Sequence, residues 1–275
     1  MSAVALSSPP NLEIIKLRQQ VTWATGNYAV VGTTLQIVGE QLCESLDLRA
    51  GSHVLDVAAG NGNVTLAAAR RFCSVVSTDY VTPLLEAGQA RAQAEGLQVH
   101  FEHADAENLP YADAQFDAVV STFGVMFTAN HARAASEMLR VCRPGGKIGL
   151  ANWTPDSFIG DLFKLIGRHA PPPAEMPSPA LWGTPEYLAS LFGQGVRRVR
   201  TERRQFTFRY RSPAHWIEVF RAYYGPIRKA YATLGPDAQQ KLTAELSKLI
   251  AAHNRSGDDT LVLPSGYLEL VAERA

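Results

Sequence analysis

Residues 54–66, VLDVAAGNGNVTL, join an apolar run containing an acid, Asp56, to the glycine pair Gly60 and Gly62. A short apolar run bounded by glycine predicts a buried strand that turns sharply into a helix. Glycine is needed where the backbone adopts positive φ or lies against a ligand. The exposed N–H groups at the start of the following helix favour polar or anionic ligand groups. The stretch therefore predicts a loop that binds a nucleotide.

Three later segments fit the same pattern of a strand that ends in polar residues. They are VVSTDY at 75–80, HFEHADAENLP at 100–110 and LRVCRPGGKIGLANW at 139–153, at the intervals that successive βα units require. A dinucleotide fingerprint, G-x-G-x-x-G/A, fits poorly because Thr65 stands where the third small residue belongs. An acid at the carboxyl end of the first strand suits an amino-acid ammonium group instead.

Residues 56–62 resemble motif I of the class I S-adenosylmethionine (SAM) methyltransferases, D-x-G-x-G-x-G, with Ala58 in place of the first glycine. Residues 54–150 are similar to the ubiquinone and menaquinone C-methyltransferase branch and its small-molecule relatives. The resemblance is close over the central third of the chain and loose over the flanks. It implies an α/β fold with a doubly wound, seven-stranded, mostly parallel sheet and a helical lid. It also implies SAM as the methyl donor.

This resemblance implies a role for each matching residue of the cofactor site. Asp79 should end the second strand, where a carboxylate accepts both ribose hydroxyls. Asp105, followed by Ala106, should contact the adenine, while Asn61 and Thr122 match cofactor-contacting positions of the quinone methyltransferases. The predicted cofactor-binding residues are Tyr28, Asp56, Ala58, Gly60, Asn61, Gly62, Asp79, Tyr80, Asp105, Ala106 and Thr122.

Two of these residues have a simpler structural explanation, and a third departs from the motif. Asp56 and Asp79 could each be a helix N-cap, since aspartate is favoured at that position. At Ala58 we expect negative φ. Alanine is unstrained there in the folded protein, and it restricts the unfolded chain more than glycine would, which favours folding. The order and spacing of the acids and of the turn at 143–146 favour the SAM-binding fold.

Composition is that of an ordinary globular protein of one large or two small domains: 275 residues, 46% hydrophobic and 19% charged, with zero net charge. The N-terminus has neither a basic region nor an apolar run of signal length, and no run of 18 apolar residues occurs, so the expected location is the cytoplasm without a membrane span. Three cysteines without a C-x-x-C pair argue against disulfides and zinc, and no ligand spacing predicts a metal.

Periodicity predicts helices within 11–48 and then alternating strands and helices. We expect a single domain (1–275) with an N-terminal helical cap (1–48), a SAM-binding core (50–155) and a segment (156–275) that completes the sheet and carries a lid at about 213–253. Pro171 to Pro179 should be an extended connection. The predicted strands lie near 53–57, 74–78, 98–102, 116–121, 146–152, 196–210 and 267–273, with further helices at 158–168 and 185–192.

Aromatic residues in the flanking segments are the candidates for acceptor binding, because ligands of open α/β sheets bind at the carboxyl ends of the strands. The predicted substrate-binding residues are Trp23, Phe123, Trp153, Trp182 and Tyr223. An aromatic residue of the segment 23–28, such as Tyr28, would contact the sulfonium through a cation–π interaction. His131 is the first candidate for a catalytic base, with a solvent-facing helix residue as the alternative.

Seven arginines stand between Val196 and Arg211 against one acid, Glu202. Their alternation with aromatic residues predicts an edge strand that is protected from pairing by charge. The alternative is an anion site for nucleic acid, which the neutral pI of about 7.1 makes the weaker hypothesis.

The sequence thus predicts methyl transfer from SAM to oxygen or carbon of a small acceptor that is aromatic, quinone-like or polyketide-like. Two alternatives stay open: an RNA methyltransferase that uses the arginine strand, and a SAM-binding protein without catalysis. Nothing in the sequence indicates an oligomeric state.

Overall fold

A computed structural model of the protein describes residues 12–173 and 176–275. Residues 1–11, part of the predicted N-terminal cap, and residues 174–175, part of the predicted connection, lie outside the described residues. The described segments form one seven-stranded sheet with helices on both faces. The strands are β1 (His53–Val57), β2 (Ser74–Asp79), β3 (His100–His103), β4 (Phe116–Thr122), β5 (Cys142–Trp153), β6 (Val196–Tyr210) and β7 (Leu261–Arg274).

The strand order is β3-β2-β1-β4-β5-β7-β6. All pairs from β3 to β5 are parallel, whereas β7 runs antiparallel to both β5 and β6. The order reverses at β1, so the loops after β1 and β4 diverge and leave a crevice at the carboxyl ends of the strands. This arrangement confirms the predicted fold class.

Helices cover both faces of the sheet, as a parallel sheet requires. Successive residues of the central strand β1 point to opposite faces and join two separate clusters: Leu55 packs with Val119, while Val54 packs with Leu42 and Val64. The helices are α1 (Leu12–Ala24), α2 (Ala29–Gly32), α3 (Gln36–Leu46), α4 (Asn63–Arg70), α5 (Thr82–Ala94), α6 (His131–Val141), α7 (Phe158–His169), α8 (Pro185–Phe192), α9 (Pro213–Tyr223), α10 (Gly225–Thr233) and α11 (Pro236–His253).

The arginine-rich strand β6 forms one edge of the sheet, and the helices α9, α10 and α11 connect it to β7. None of the helices in the described ranges is long and apolar enough to cross a membrane. Two strand boundaries differ from the sequence expectation. β7 begins at Leu261 rather than near 267, and β5 begins at Cys142, so that the predicted turn at 143–146 lies inside the strand where its pairing with β4 shifts register.

Candidate active site

The loop between β1 and α4 takes left-handed backbone conformations at three positions. Gly60 has φ of 58°, Gly62 has φ of 81°, and Ala58 has φ of 53°. The expectation of negative φ at Ala58 is therefore wrong. The loop after β4 crosses so closely that a Cβ on Gly124 would lie 1.9 Å from the Ala58 carbonyl oxygen. A positive φ costs a non-glycine residue on the order of 1–3 kcal/mol, which the surrounding packing must offset.

The carboxyl ends of β1, β2, β3 and β4 open into a cleft that encloses about 850 Å³. It brings together nine of the predicted cofactor residues and two of the predicted acceptor residues. Those eleven are Tyr28, Ala58, Gly60, Asn61, Asp79, Tyr80, Asp105, Ala106, Thr122, Trp23 and Phe123. The predicted residues Asp56 and Gly62 lie beneath the cleft rather than on its wall.

Asp79 ends β2 with its carboxylate turned toward the glycine loop. One oxygen accepts from the Gly60 N–H and the other from the Val81 N–H, both at 2.9 Å. Burial raises the pKa of Asp79 to about 6, against the lowering effect of these backbone hydrogen bonds. Each carboxylate oxygen has two lone pairs, so both retain capacity for a further donor such as a ribose hydroxyl.

Asp105 follows β3 and is tied to the N-terminal helix. Lys16 in α1 donates to the Asp105 carboxylate at 2.8 Å and lies 2.9 Å from a carboxylate oxygen of Glu107. These two acids raise the pKa of Lys16 above its ordinary value, although burial of the ammonium opposes the rise. Glu107 is itself nearly buried at 5% exposure and also accepts from the Asn130 N–H. The acids after β3 therefore hold α1 against the cleft.

The same helix contacts two further strand ends. Gln19 donates to the Phe127 carbonyl oxygen at 2.7 Å, and Gln20 donates to the Tyr80 carbonyl oxygen at 2.5 Å. Lys16, Gln19, Glu107 and Phe127 all line the cleft, and none of them was a predicted site residue. Only Glu107 carried a signal, since it lies in the same polar run after β3 as Asp105.

Asp56 is fully buried where β1 ends. One oxygen accepts from the backbone N–H and the hydroxyl of Thr65, at 3.1 and 2.5 Å, while the other oxygen is buried without a hydrogen-bond partner. Burial raises the pKa of Asp56 to about 7, although the bonds from Thr65 oppose the rise. The contact with Thr65, in the first turn of α4, is the helix-capping alternative.

A second, narrow cavity adjoins the cleft and is lined almost entirely by aromatic and aliphatic side chains. Phe123 stacks on Trp153 with ring centroids 4.0 Å apart, and Trp23 packs edge-on against Phe127 at 4.8 Å. Five residues border both spaces: Trp23, Tyr28, Leu35, Phe123 and Phe127. A ligand in this aromatic cavity would therefore lie directly against a ligand in the cleft.

Three of the residues predicted for catalysis or acceptor binding line neither space. His131 is 3% exposed at the start of α6, and its Nδ1 lies 2.9 Å from the Tyr187 hydroxyl. Burial lowers the pKa of His131 to about 4, so the ring is neutral at physiological pH. Trp182 is fully buried against His131 and Phe192, and Tyr223 points outward with 37% exposure. The structure therefore places His131, Trp182 and Tyr223 outside both spaces, and their predicted roles stay predictions.

Across residues 12–173 and 176–275, no group of three or more His, Cys, Asp or Glu side chains is arranged to hold a metal ion. The charged and polar groups of the cleft include carboxylates, amides, the Lys16 ammonium and the hydroxyls of tyrosine and threonine residues. This set suits a ligand that offers hydroxyls, amines and an ammonium group.

Comparison with known proteins decides the family. Residues 54–146 match a family described as a methyltransferase domain. The chain belongs to the class I SAM-dependent methyltransferases. As a member of this family it is an enzyme, and its methyl donor is SAM.

Proteins similar to this methyltransferase match either nearly the whole chain or less than half of it. An uncharacterized protein of Mycobacterium tuberculosis (strain ATCC 25618 / H37Rv) is 38% identical over 257 residues, 92% of each chain. A demethylmenaquinone methyltransferase of Deinococcus radiodurans is 37% identical over 123 residues, which are 43% of this chain and 51% of that protein. The fold also resembles the crystal structure of a putative methyltransferase of Bacillus halodurans C-125, with a TM-score of 0.58, 20% identity and coverage of 85% and 96% of the two chains.

Proposed function

We propose that this methyltransferase methylates oxygen or carbon of a small acceptor that is aromatic, quinone-like or polyketide-like. The observation that carries the proposal is the narrow aromatic cavity that shares five wall residues with the cleft. A ring held there would be flanked by Phe123, Trp153 and Trp23, which suits a planar apolar molecule better than a sugar or a peptide.

The cleft residues fit SAM group by group. In this proposal Asp79 accepts the ribose hydroxyls, Asp105 and Ala106 meet the adenine, and Asn61 and Thr122 border the space between them. Tyr28 and Tyr80 cover the cofactor from the two sides of the cleft. The loop from Ala58 to Gly62 offers its backbone to the methionine part, with the unpartnered oxygen of Asp56 beneath it.

The protein's contribution to catalysis is then mainly orientation. SAM supplies a methyl group on a sulfonium, and the shared wall between the two spaces holds the acceptor against it. Positioning of this kind lowers a barrier by up to about 7–11 kcal/mol. The apolar wall also excludes water, which strengthens electrostatic interactions inside the site. No role for His131 is part of this proposal.

The match to the demethylmenaquinone methyltransferase supports a quinone-like acceptor, because that relative is named for a quinone substrate. The matched part is 43% of this chain, so the support reaches the shared core and not the whole acceptor site. The wall of the aromatic cavity runs from Trp23 to Tyr224, which is further along the chain than 123 matched residues extend.

The RNA alternative gains no support from the arginine strand. Four of its seven arginines are ion-paired with acids of this chain: Arg197 and Arg198 with Glu273, Arg203 with Asp156, and Arg204 with Glu269. Pairing of this kind neutralises the charge that phosphate contacts require. The strand's position at the sheet edge accords with protection against edge pairing.

An acceptor screen tests the proposal. The enzyme is incubated with methyl-labelled SAM and extract of the source cells, and label is followed in small molecules, RNA and protein. We expect label in a small molecule that extracts into organic solvent. Label found only in RNA would support the RNA alternative, and cofactor binding without any labelled product would support a SAM-binding protein without catalysis.

A further inference from the structure

The N-terminal helix α1 directs several polar side chains toward the protein and several apolar ones toward solvent. Lys16 pairs with the acids after β3, and Gln19 and Gln20 donate to carbonyl oxygens in the loops after β4 and β2. Leu17 and Val21 of the same helix are each 62% exposed. A surface helix of a globular protein normally has its apolar side chains against the core and its polar ones outward. The outward apolar side chains of α1 therefore form a candidate docking surface.

These apolar side chains form one continuous row. Leu17 and Val21 are four residues apart and are therefore neighbours on the helix surface, and Ile14, three residues before Leu17, extends the row with 47% exposure. We call Ile14, Leu17 and Val21 the α1 stripe. Val30 of α2 and Tyr223 at the end of α9 are exposed as well. Exposed apolar side chains that stand together mark interaction sites, whereas single ones are ordinary.

The α1 stripe lies at the same end of the sheet as the two ligand spaces. Helix α1 is bonded to the loops after β2, β3 and β4, at the carboxyl ends of the strands. Its residue Trp23 lines both the cleft and the aromatic cavity. A surface that contacts the α1 stripe is therefore next to the segments that enclose the proposed acceptor site.

Basic side chains flank the α1 stripe. Arg18 is exposed in the same helix, and Lys229 of α10 is exposed with its Nζ 3.1 Å from the Thr22 hydroxyl of α1. Neither cation forms an ion pair with any residue in the described ranges, and the one acid of α1, Glu13, lies 3.8 Å from the Lys16 Nζ. Unpaired cations beside an apolar helix face are complementary to a surface of anionic lipid headgroups.

We propose that the α1 stripe docks on an anionic phospholipid surface. Leu17 and Val21 enter the boundary between headgroups and acyl chains, and Arg18 and Lys229 meet the headgroups. A second copy of this chain is a less suitable occupant, because a symmetric interface brings the same cations of both copies together. The inference goes beyond the proposed function and does not rest on it. Docking in this orientation would nevertheless bring an apolar acceptor dissolved in the lipid close to the acceptor site.

Co-sedimentation of the full-length protein with vesicles tests the docking. One preparation is phosphatidylcholine alone, and the other is phosphatidylcholine mixed with phosphatidylglycerol. We expect binding to the mixed vesicles that weakens as salt is added. The double variant Leu17→Gln with Val21→Gln should lower the partition coefficient about tenfold or more, because two apolar side chains no longer leave water. The double variant Arg18→Gln with Lys229→Gln should lower it about tenfold on mixed vesicles and leave binding to phosphatidylcholine unchanged.

Phe72→Gln is the matched control. Phe72 is 80% exposed, but its carbonyl oxygen accepts from the Gly51 N–H ahead of β1, so it lies at the amino ends of the strands, away from α1. This variant should retain the vesicle binding of the wild-type protein. Calorimetric titration with S-adenosylhomocysteine verifies that each variant is folded, because none of the substituted residues lines the cleft or the aromatic cavity.

The outcomes separate this inference from the proposed function. Failure of the wild-type protein to bind either vesicle overturns the inference, as does vesicle binding that the Leu17→Gln, Val21→Gln variant retains. A wild-type dimer in light-scattering measurements that the same variant dissociates also overturns it, in favour of an interface between copies. None of these results bears on the acceptor proposal, since the vesicles contain no acceptor and the acceptor screen requires no vesicles.

Discussion

Replacing Asp79 by asparagine separates its proposed role in cofactor binding from its support of the glycine loop. The carboxylate accepts from the Gly60 and Val81 N–H groups at 2.9 Å and lines the cofactor cleft. Asparagine has nearly the same shape but only one oxygen, and its amide group cannot accept from an N–H. The substitution therefore removes the negative charge, one ribose acceptor and one of the two loop contacts.

The size of each effect follows from these contacts. A hydrogen bond to a charged group contributes about 1.5–3 kcal/mol. The asparagine variant loses one of the two bonds to the ribose hydroxyls and makes the other with an uncharged oxygen, so cofactor binding should weaken by about 2–4 kcal/mol. That corresponds to roughly a 30- to 1,000-fold rise in the dissociation constant. One loop N–H is left unsatisfied, which should lower the free energy of unfolding by about 1–3 kcal/mol.

Calorimetric titration with S-adenosylhomocysteine measures the first effect, and urea unfolding of the ligand-free protein measures the second. Asp117→Asn is the matched control, because Asp117 also accepts from a backbone N–H, that of His53 at 2.8 Å, but lies outside the cleft. The control should lose stability without losing affinity. An Asp79→Asn variant with unchanged affinity and reduced stability would show that Asp79 only supports the loop.

Four further predictions concern the pH dependence of affinity, the pH dependence of stability, a tight backbone contact and a buried histidine. Because the pKa of Asp79 is raised to about 6, S-adenosylhomocysteine affinity should be constant above pH 7 and fall by up to about tenfold per unit below pH 6; a flat titration curve would contradict the ribose role. The stability of the ligand-free protein should show the opposite trend. The pKa values of Asp56 and Asp79 are raised above their unfolded values, so the stability that their protonation contributes is complete below about pH 4 and is lost as pH rises to about 7. In heat-unfolding scans, a variant with both Asp56→Asn and Asp79→Asn should lose this dependence of melting temperature on pH. Gly124→Ala places a Cβ 1.9 Å from the Ala58 carbonyl oxygen, so it should abolish cofactor binding or folding, and an unaffected circular dichroism spectrum with normal affinity would refute the close packing. His131→Asn should lower the melting temperature by several degrees and leave S-adenosylhomocysteine affinity unchanged, whereas a calorimetric loss of affinity would place the imidazole in the site.

The core of the fold was predictable because its signals are local. Alternating apolar runs and helical periods mark β1 to β4, and each strand is separated from the next by one helix or loop. The ends of β5 and β7 were harder to predict. The start of β7 contains Pro264 and Gly266, which favour a break in sequence, yet they pair with Thr207 and Gln205 of β6. Pairing with the long antiparallel strand β6 overrides the local preference of proline and glycine for a break. The sequence of β7 alone does not indicate this pairing.

The meeting of Asp79 and Asp105 at one cleft was predictable for the same reason, since each lies at or just beyond the end of a strand and the strand ends meet at one edge. The missed features depend on contacts between distant segments. Positive φ at Ala58 accompanies the close approach of Gly124, which lies on another loop. Lys16 reaches Asp105 from a helix near the N-terminus. His131 is enclosed by Trp182 and the Tyr187 hydroxyl, and nothing in its own segment indicates this.

The two sides of the active site therefore differ in origin. Residues that line the cofactor cleft come largely from the range 54–146, which matches the methyltransferase domain family. The aromatic cavity is instead completed from outside that range, by Trp23 and Tyr28 near the N-terminus and by Phe208, Phe220 and Tyr224 at the lid. In the proposed function the shared core binds the cofactor, while acceptor choice depends on segments that the similarity to the quinone methyltransferase covers only in part. Substitutions at Phe220 or Tyr224 should accordingly change which acceptor is methylated before they change how tightly SAM is bound.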